Sequence, residues 1–196
     1  MRVGTKSLLW GVHQFLWHPL TVFIAWHELY GWPNWKECIC ICIHDWGYWG
    51  CSDMDGEEGE NHPTKGAEIA NVLLDHNFHM GTGELPRDDK WLTKSKEIEW
   101  EYYYLVLRHS RSMAKRYNKE PSKLCWADKL SIKYDPWFLY IPRAMLSGEL
   151  KEHRERADKF GELTFNKSNR EWYQWAHDRM ICKAYNKDIT PPYEGH

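Results

Sequence analysis

The run Cys38-Ile39-Cys40-Ile41-Cys42-Ile43-His44-Asp45-Trp46-Gly47 decides how this chain of 196 residues folds. Six thiol and apolar side chains follow one another without a polar break, then give way abruptly to an imidazole and a carboxylate. Periodicity alone admits a buried strand or a buried helix over Cys38 to Ile43. A strand needs a partner, and no other segment of the chain has strand-like character, so the helix is the better reading. Pro33-Asn34 starts it, and Trp46-Gly47 leads out of it into a polar loop.

Working outward, the period stays helical. Leu20, Phe23, Ile24, His27 and Leu29 suit a buried helix opening at His18-Pro19, with Pro in its first turn and Gly31 ending it. Residues 46–61 read as a Gly- and acid-rich loop. Pro63 opens a helix through Ala67, Ile69, Ala70, Leu73 and Leu74. A polar stretch from His79 to Asp89 precedes a long helix expected from about Trp91 to Tyr117. Pro121 begins another, with Leu124, Ala127, Asp128 and Leu130. Two or three amphipathic segments follow to about Asn186, and residues 191–196 read as a tail. The expected architecture is all-α, a single domain over residues 1–190. Its core spans about 18–135, with a C-terminal helical extension over about 136–186.

Composition narrows the function. A net charge of −2 and a pI near 6.6 give no broad basic field, so stable nucleic-acid binding is not expected. The 13 Trp promise a large aromatic core, and 11 His raise the prospect of a metal or acid–base site. The six cysteines form neither a CxxC pair nor a disulfide framework and read as small buried hydrophobes in a reducing, cytoplasmic setting. Residues Ser7 to His27 carry no Asp, Glu, Lys or Arg, but His13, Gln14, His18 and Pro19 interrupt them. No run approaches the ~20 apolar residues of a membrane span, and no small-residue cleavage site follows, so no membrane role is expected.

His44-Asp45 is weak alone, since an Asp can cap and a His can sit satisfied in a core. Its company changes the reading. His18 lies 26 residues upstream, His62-Pro63 opens a helix 17 residues after Asp45, and His109-Ser110 falls late in the long helix. Asp128 sits within an otherwise apolar helix, where a buried carboxylate needs a partner and a metal is a suitable one. Four imidazoles and two carboxylates can hold two divalent ions, and such nitrogen and oxygen donors suit Mn, Fe, Co, Ni or Zn.

Taken together, His18, His44-Asp45, His62, His109 and Asp128 resemble the pattern of the HD-domain superfamily of metal-dependent phosphohydrolases. Three local contexts carry the resemblance: the apolar run into His44-Asp45 and then Gly47, His-Pro-x-x-Gly-Ala from His62 to Ala67, and Ala-Asp-Lys-Leu from Ala127 to Leu130. Trp46 departs from it, standing where the family has a small aliphatic residue. The resemblance implies that His18, His44, Asp45 and Asp128 bind one ion. Asp45 bridges to a second held by His62 and His109, and an activated water attacks phosphorus. It further implies a cation that holds phosphate, for which Lys65, Arg111 and Lys129 are candidates and Arg108 a weaker one. The expected substrate is a small phosphoester, a nucleotide by resemblance. The loop from Trp46 to Asn61 would cover the site, offering Tyr48 and Trp49 to a base and Asp53, Asp55, Glu57, Glu58 and Glu60 for proton transfer.

Alternatives stay open. His76 and His79 compete with His109, and His13 and His27 with His18. The same donor set resembles HD-fold diiron oxygenases that cleave C–C or C–P bonds, and a non-catalytic binding module is a third class. His177-Asp178 reads as an exposed pair, because Arg179 follows it and no Gly turn succeeds it. Asp53-Met54-Asp55-Gly56 fails as a calcium loop, with Cys51 and His62 where acids are needed. Gly81-Thr82-Gly83 lacks the third glycine of a dinucleotide loop, and neither a P-loop nor a GxSxG elbow is present.

Overall fold

A computed structural model describes residues 1–75, 100–159 and 167–187. Among them the fold is all-α, with no strand. The helices are α1 (Val3–Trp10), α2 (Trp17–Tyr30), α3 (Trp35–Ile43), a one-turn α4 (Glu57–Glu60), α5 (His62–Ala70), α6 (Glu101–Leu107), α7 (Arg111–Arg116), α8 (Lys123–Ser131), α9 (Trp137–Ser147), α10 (Glu149–Lys159) and α11 (Asn169–Asn186). Short 3-10 turns cover Trp46–Tyr48 and Ile132–Tyr134, and a wide π turn covers Asn71–Asp75. Among the described residues no helix is long and apolar enough to cross a membrane.

The run Cys38 to Ile43 is helical. Asn34 caps α3 by accepting from the Lys36 and Glu37 amides, and the Glu37 carboxylate accepts in return from the Asn34 amide. Such a reciprocal cap answers two orphan donors at a helix start. Two of the three alternating isoleucines, Ile41 and Ile43, are buried together with Cys40.

The main core joins Val22, Ala25 and Trp26 of α2 to Ile41 and Ile43 of α3, Ala67 and Ala70 of α5, Val106 and Leu107 of α6, and Leu124, Ala127 and Leu130 of α8. Each large apolar side chain buried there is worth about 1.5–3 kcal/mol in transfer free energy. Small residues on α5 and α8 let helices close up: α5 packs on α6, and α2 on α8. A second core joins Val12 to Tyr140, Ile141 and Ala144 of α9, Leu150 of α10, and Trp172, Tyr173 and Ala176 of α11. The C-terminal helices therefore pack against the N-terminal segment, and α11 also lies along α8.

Several expectations need correction. The helix expected from Trp91 to Tyr117 is not continuous over its described part. It breaks at Arg108–Ser110, where Ser110 caps a new helix by accepting from the Met113 amide. The loop at residues 46–61 contains the Trp46–Tyr48 turn and α4. All six cysteines are free, but only Cys40, Cys51 and Cys125 are buried; Cys42 and Cys182 are exposed. A helix places successive side chains about 100° apart, so alternating cysteines cannot all face inward. His76, His79, Gly81, Gly83 and the 191–196 tail lie outside the described residues.

Candidate metal centre

Five chain segments deliver the six donors. His18 is the second residue of α2, and that turn is pinned: Trp17 donates its Nε1–H to Asp135 at 3.0 Å, and Arg143 pairs with the same carboxylate. The Thr21 hydroxyl donates to the His18 carbonyl at 2.8 Å. Residues in sequence on a continuing helix diverge by about 100°. Here α3 stops at Ile43, and His44 and Asp45 occupy the turn that follows. His62 opens α5, and His109 stands in the break between α6 and α7. Asp128 faces inward from α8 across its packed contact with α2.

Two glycines allow this approach. A Cβ on Gly47 would collide with the His62 carbonyl, and one on Gly66 would lie 2.5 Å from the His44 carbonyl. The Gly47 and Gly66 positions of the two sequence motifs are thus places where α5 rides directly on the end of α3. That contact brings His62 to Asp45.

Asp45 is the hub. Its Oδ2 lies 3.0 Å from His18 Nε2 and 3.1 Å from His44 Nε2. Its Oδ1 lies 3.5 Å from His62 Nε2 and 3.6 Å from His109 Nε2. Asp128 Oδ1 adds a contact of 3.2 Å to His18 Nε2 and one of 3.8 Å to His44 Nε2. Within the set His18, His44, Asp45 and Asp128, one donor atom per residue lies within 4.8 Å of every other, and the same holds for Asp45, His62 and His109. Two donors at about 2.0–2.3 Å from one ion are separated by at most about 4.6 Å, and the contacts of 3.0 to 3.8 Å that Asp45 and Asp128 make with the four imidazoles fall inside that limit.

The chemistry of the donors tests the fit. His44 Nδ1 meets the Ile41 carbonyl at 2.9 Å, His62 Nδ1 the Gly59 carbonyl at 2.5 Å, and His109 Nδ1 the Val106 carbonyl at 2.6 Å. A carbonyl only accepts, so all three rings carry their proton on Nδ1 and turn Nε2 to the cluster. Outer hydrogen bonds of this kind orient metal-ligating histidines. His62 and His109 bring those Nε2 atoms within 2.9 Å of each other. Two lone pairs at that distance repel unless a proton or a cation lies between them. His18 Nε2, His44 Nε2 and Asp45 Oδ2 are buried, close together, and without a properly directed hydrogen bond. Buried polar atoms are rarely left so. The donor set can hold a metal ion.

Without a metal, protons do part of that work. Burial opposes charge on His18, but Asp128 and Asp45 outweigh it and push its pKa up to about 9. Burial opposes it on His44 too, where Asp45 and then Asp128 prevail and the value rises to about 10. Against burial, His44 foremost and His13 next hold Asp45 well below the usual carboxylate range, and His18 and His44 do the same for Asp128. His62 goes the other way: burial, then the neighbouring His109, lower it to about 3.

The cluster opens on a cavity of about 950 Å³, and Arg111 and Lys129 both line it. Lys65 does not. Three residues after His62, it is turned to the exposed side of α5, where its charge acts on Cys51 and Glu58. Arg108 also stays outside, stacked over Tyr104 at 5.2 Å. In the loop, Tyr48 stacks on the His62 ring with centroids 3.7 Å apart. Trp49 is exposed and lies near Phe15. Asp53 is spent on the Gly56 and Gly59 amides and Glu58 on Ser52, whereas Asp55 and Glu60 line the cavity paired with Arg156. His27 is exposed and packs on Trp32. His177 and Asp178 pair with each other at 3.0 Å on the outer part of α11.

The lining also includes residues that no sequence motif marked: His153 and Arg156 of α10, and Trp172, Trp175, Arg179 and Lys183 of α11. Their spacing is plain helical amphipathicity, and only the fold turns that face toward the cluster. No family model, curated protein or solved structure matches the chain.

Proposed function

We propose that this chain is a metal-dependent phosphohydrolase of the HD-domain type, acting on a nucleotide or a related small phosphoester. The observation that carries the reading is the two-sided placement of Asp45, with Oδ2 toward His18 and His44 and Oδ1 toward His62 and His109. One carboxylate so placed suits two ions side by side. His18, His44, Asp45 and Asp128 would hold the first, and His62 and His109, with the other oxygen of Asp45, the second. Two such cations, of Mn, Fe, Co, Ni or Zn, supply a nucleophile from water near neutral pH and neutralise phosphate oxygens.

The residues around the cluster suit the same substrate. Arg111 and Lys129 stand in the cavity wall, where cations meet phosphate oxygens. Trp175, partly buried in the lining, offers an apolar ring suited to a base. Tyr48 covers the His62 ring and keeps water from it. A cavity of about 950 Å³ accommodates a nucleotide.

The test is a panel of nucleotides and other phosphoesters given to chelator-stripped protein with Mn, Co, Ni, Mg, Zn or Fe restored. Release of phosphate or pyrophosphate that requires the metal is expected. No release with any metal, together with dioxygen uptake by the iron-loaded protein, would replace the hydrolase by the oxygenase of the same fold.

A further inference from the structure

Glu149 is a charged group for which the metal centre has no use. It opens α10 and is fully buried, at 0% exposure. Both its oxygens are taken. Oε1 accepts from the Ser7 hydroxyl at 2.5 Å and from His13 Nδ1 at 2.7 Å; Oε2 accepts from the Val12 amide at 2.9 Å and from the Ser147 hydroxyl. Four donors to a buried carboxylate hold it ionised. A clamp between the N-terminal segment and α10 would be complete with the serines and the Val12 amide.

The histidine is what a clamp leaves unexplained. His13 lines the cavity, and its ring lies 5.2 Å from the His18 ring and 5.2 Å from Tyr48. A carboxylate only accepts, so the bond to Glu149 places a proton on Nδ1. The other nitrogen, Nε2, is then left for the cavity beside the metal cluster. A carboxylate behind an imidazole fixes the ring's tautomer and its aim.

We infer that His13, oriented by Glu149, contacts the phosphoryl group of the substrate through Nε2, with Glu149 as the positioning residue. The identity of the substrate rests on the phosphohydrolase reading above. The contact does not depend on the charge of the ring: Nε2 accepts from a P–OH, or as N–H donates to a phosphoryl oxygen.

The probe is inorganic phosphate, titrated into ¹⁵N-labelled, Zn²⁺-loaded protein while the imidazole nitrogens are followed. The His13 Nε2 resonance is expected to shift and saturate. A His13 resonance that stays still throughout overturns the inference, whether or not the protein hydrolyses anything. Kinetics give a second readout. His13→Ala is expected to lower kcat/KM about 10²-fold, the scale of one lost donor to a reacting phosphate or acyl group, with metal content unchanged. Glu149→Gln should lower kcat/KM too, yet cost nothing more in the His13→Ala background, because it acts through His13. Equal losses from Glu149→Gln in both backgrounds would make Glu149 a structural clamp and overturn its positioning role. A protein that shows the His13 shift but no hydrolysis counts against the function proposed above and leaves this contact standing.

Discussion

Among the described residues Asp45 is the one side chain that faces both halves of the cluster, and its loss should differ in kind from the loss of a neighbour. Asp45→Asn keeps the shape but removes the negative charge and one acceptor. If Asp45 joins two ions, kcat should fall by 10³ or more, corresponding to about 4 kcal/mol. Assays of turnover at saturating substrate check this; wild-type kcat in Asp45→Asn would remove the bridging role. His109→Ala should cost one metal equivalent and leave the fold intact, as metal analysis beside a thermal melt would show. At this scale the sequence was informative: His18, His44, Asp45, His62, His109 and Asp128 all come together. Lys65 did not follow, because a cation three residues after His62 gives no sign of which side of α5 it will take. His13 was visible only as a rival to His18. Its partner Glu149 is 136 residues away, a pairing no local spacing reveals.

At the level of elements, the centre depends on α5 sitting against the end of α3. Gly66→Ala puts a methyl 2.5 Å from the His44 carbonyl, between two backbones that cannot both yield. The expected cost is about 1–3 kcal/mol, the usual price of overpacking, measured by denaturant unfolding, with metal affinity weakened as well. An unchanged midpoint would mean that the two helices are not in contact. The helix period and the proline and glycine signals gave α2, α3, α5 and α8 in outline. The break before α7 was missed, since Arg108-His109-Ser110 contains neither Pro nor Gly. A serine cap and a histidine bonded back to Val106 end the helix instead. That break frees His109 from a helical register and lets it reach Asp45.

For the whole molecule, the cavity is a product of tertiary packing. The metal-bearing part of its lining comes from helices between α2 and α8, and α10 and α11 add residues that carry no motif. The same packing governs the response to pH. His18, His44 and His153 all have folded pKa values raised, to about 9 or 10, above the ordinary 6.5. A group raised in this way stabilises the fold fully below pH 6.5 and loses that contribution as pH climbs through 9 to 10. The carboxylates Asp45, Asp128 and Asp55, which are lowered, contribute above about pH 4 and lose their effect as pH falls further. His62, lowered to about 3, works the other way and costs stability as pH falls below 6.5, so the melting temperature of metal-free protein should be highest near pH 6.5, fall below it, and decline toward pH 10. A melting temperature that rises steadily from pH 6.5 to 10 would contradict the pairing.

The most direct measurement follows from the same protonation. Imidazoles must give up their protons to bind a metal. Titrating chelator-stripped protein with Mn²⁺ or Zn²⁺ at pH 7, by calorimetry in buffers of different ionisation enthalpy, counts bound ions and released protons together. The account predicts two ions per chain in the wild type, proton release on binding, and an affinity that increases with pH. Two ions bound with Asp45→Asn as tightly as with the wild type, or no ion bound by the wild type, would contradict it.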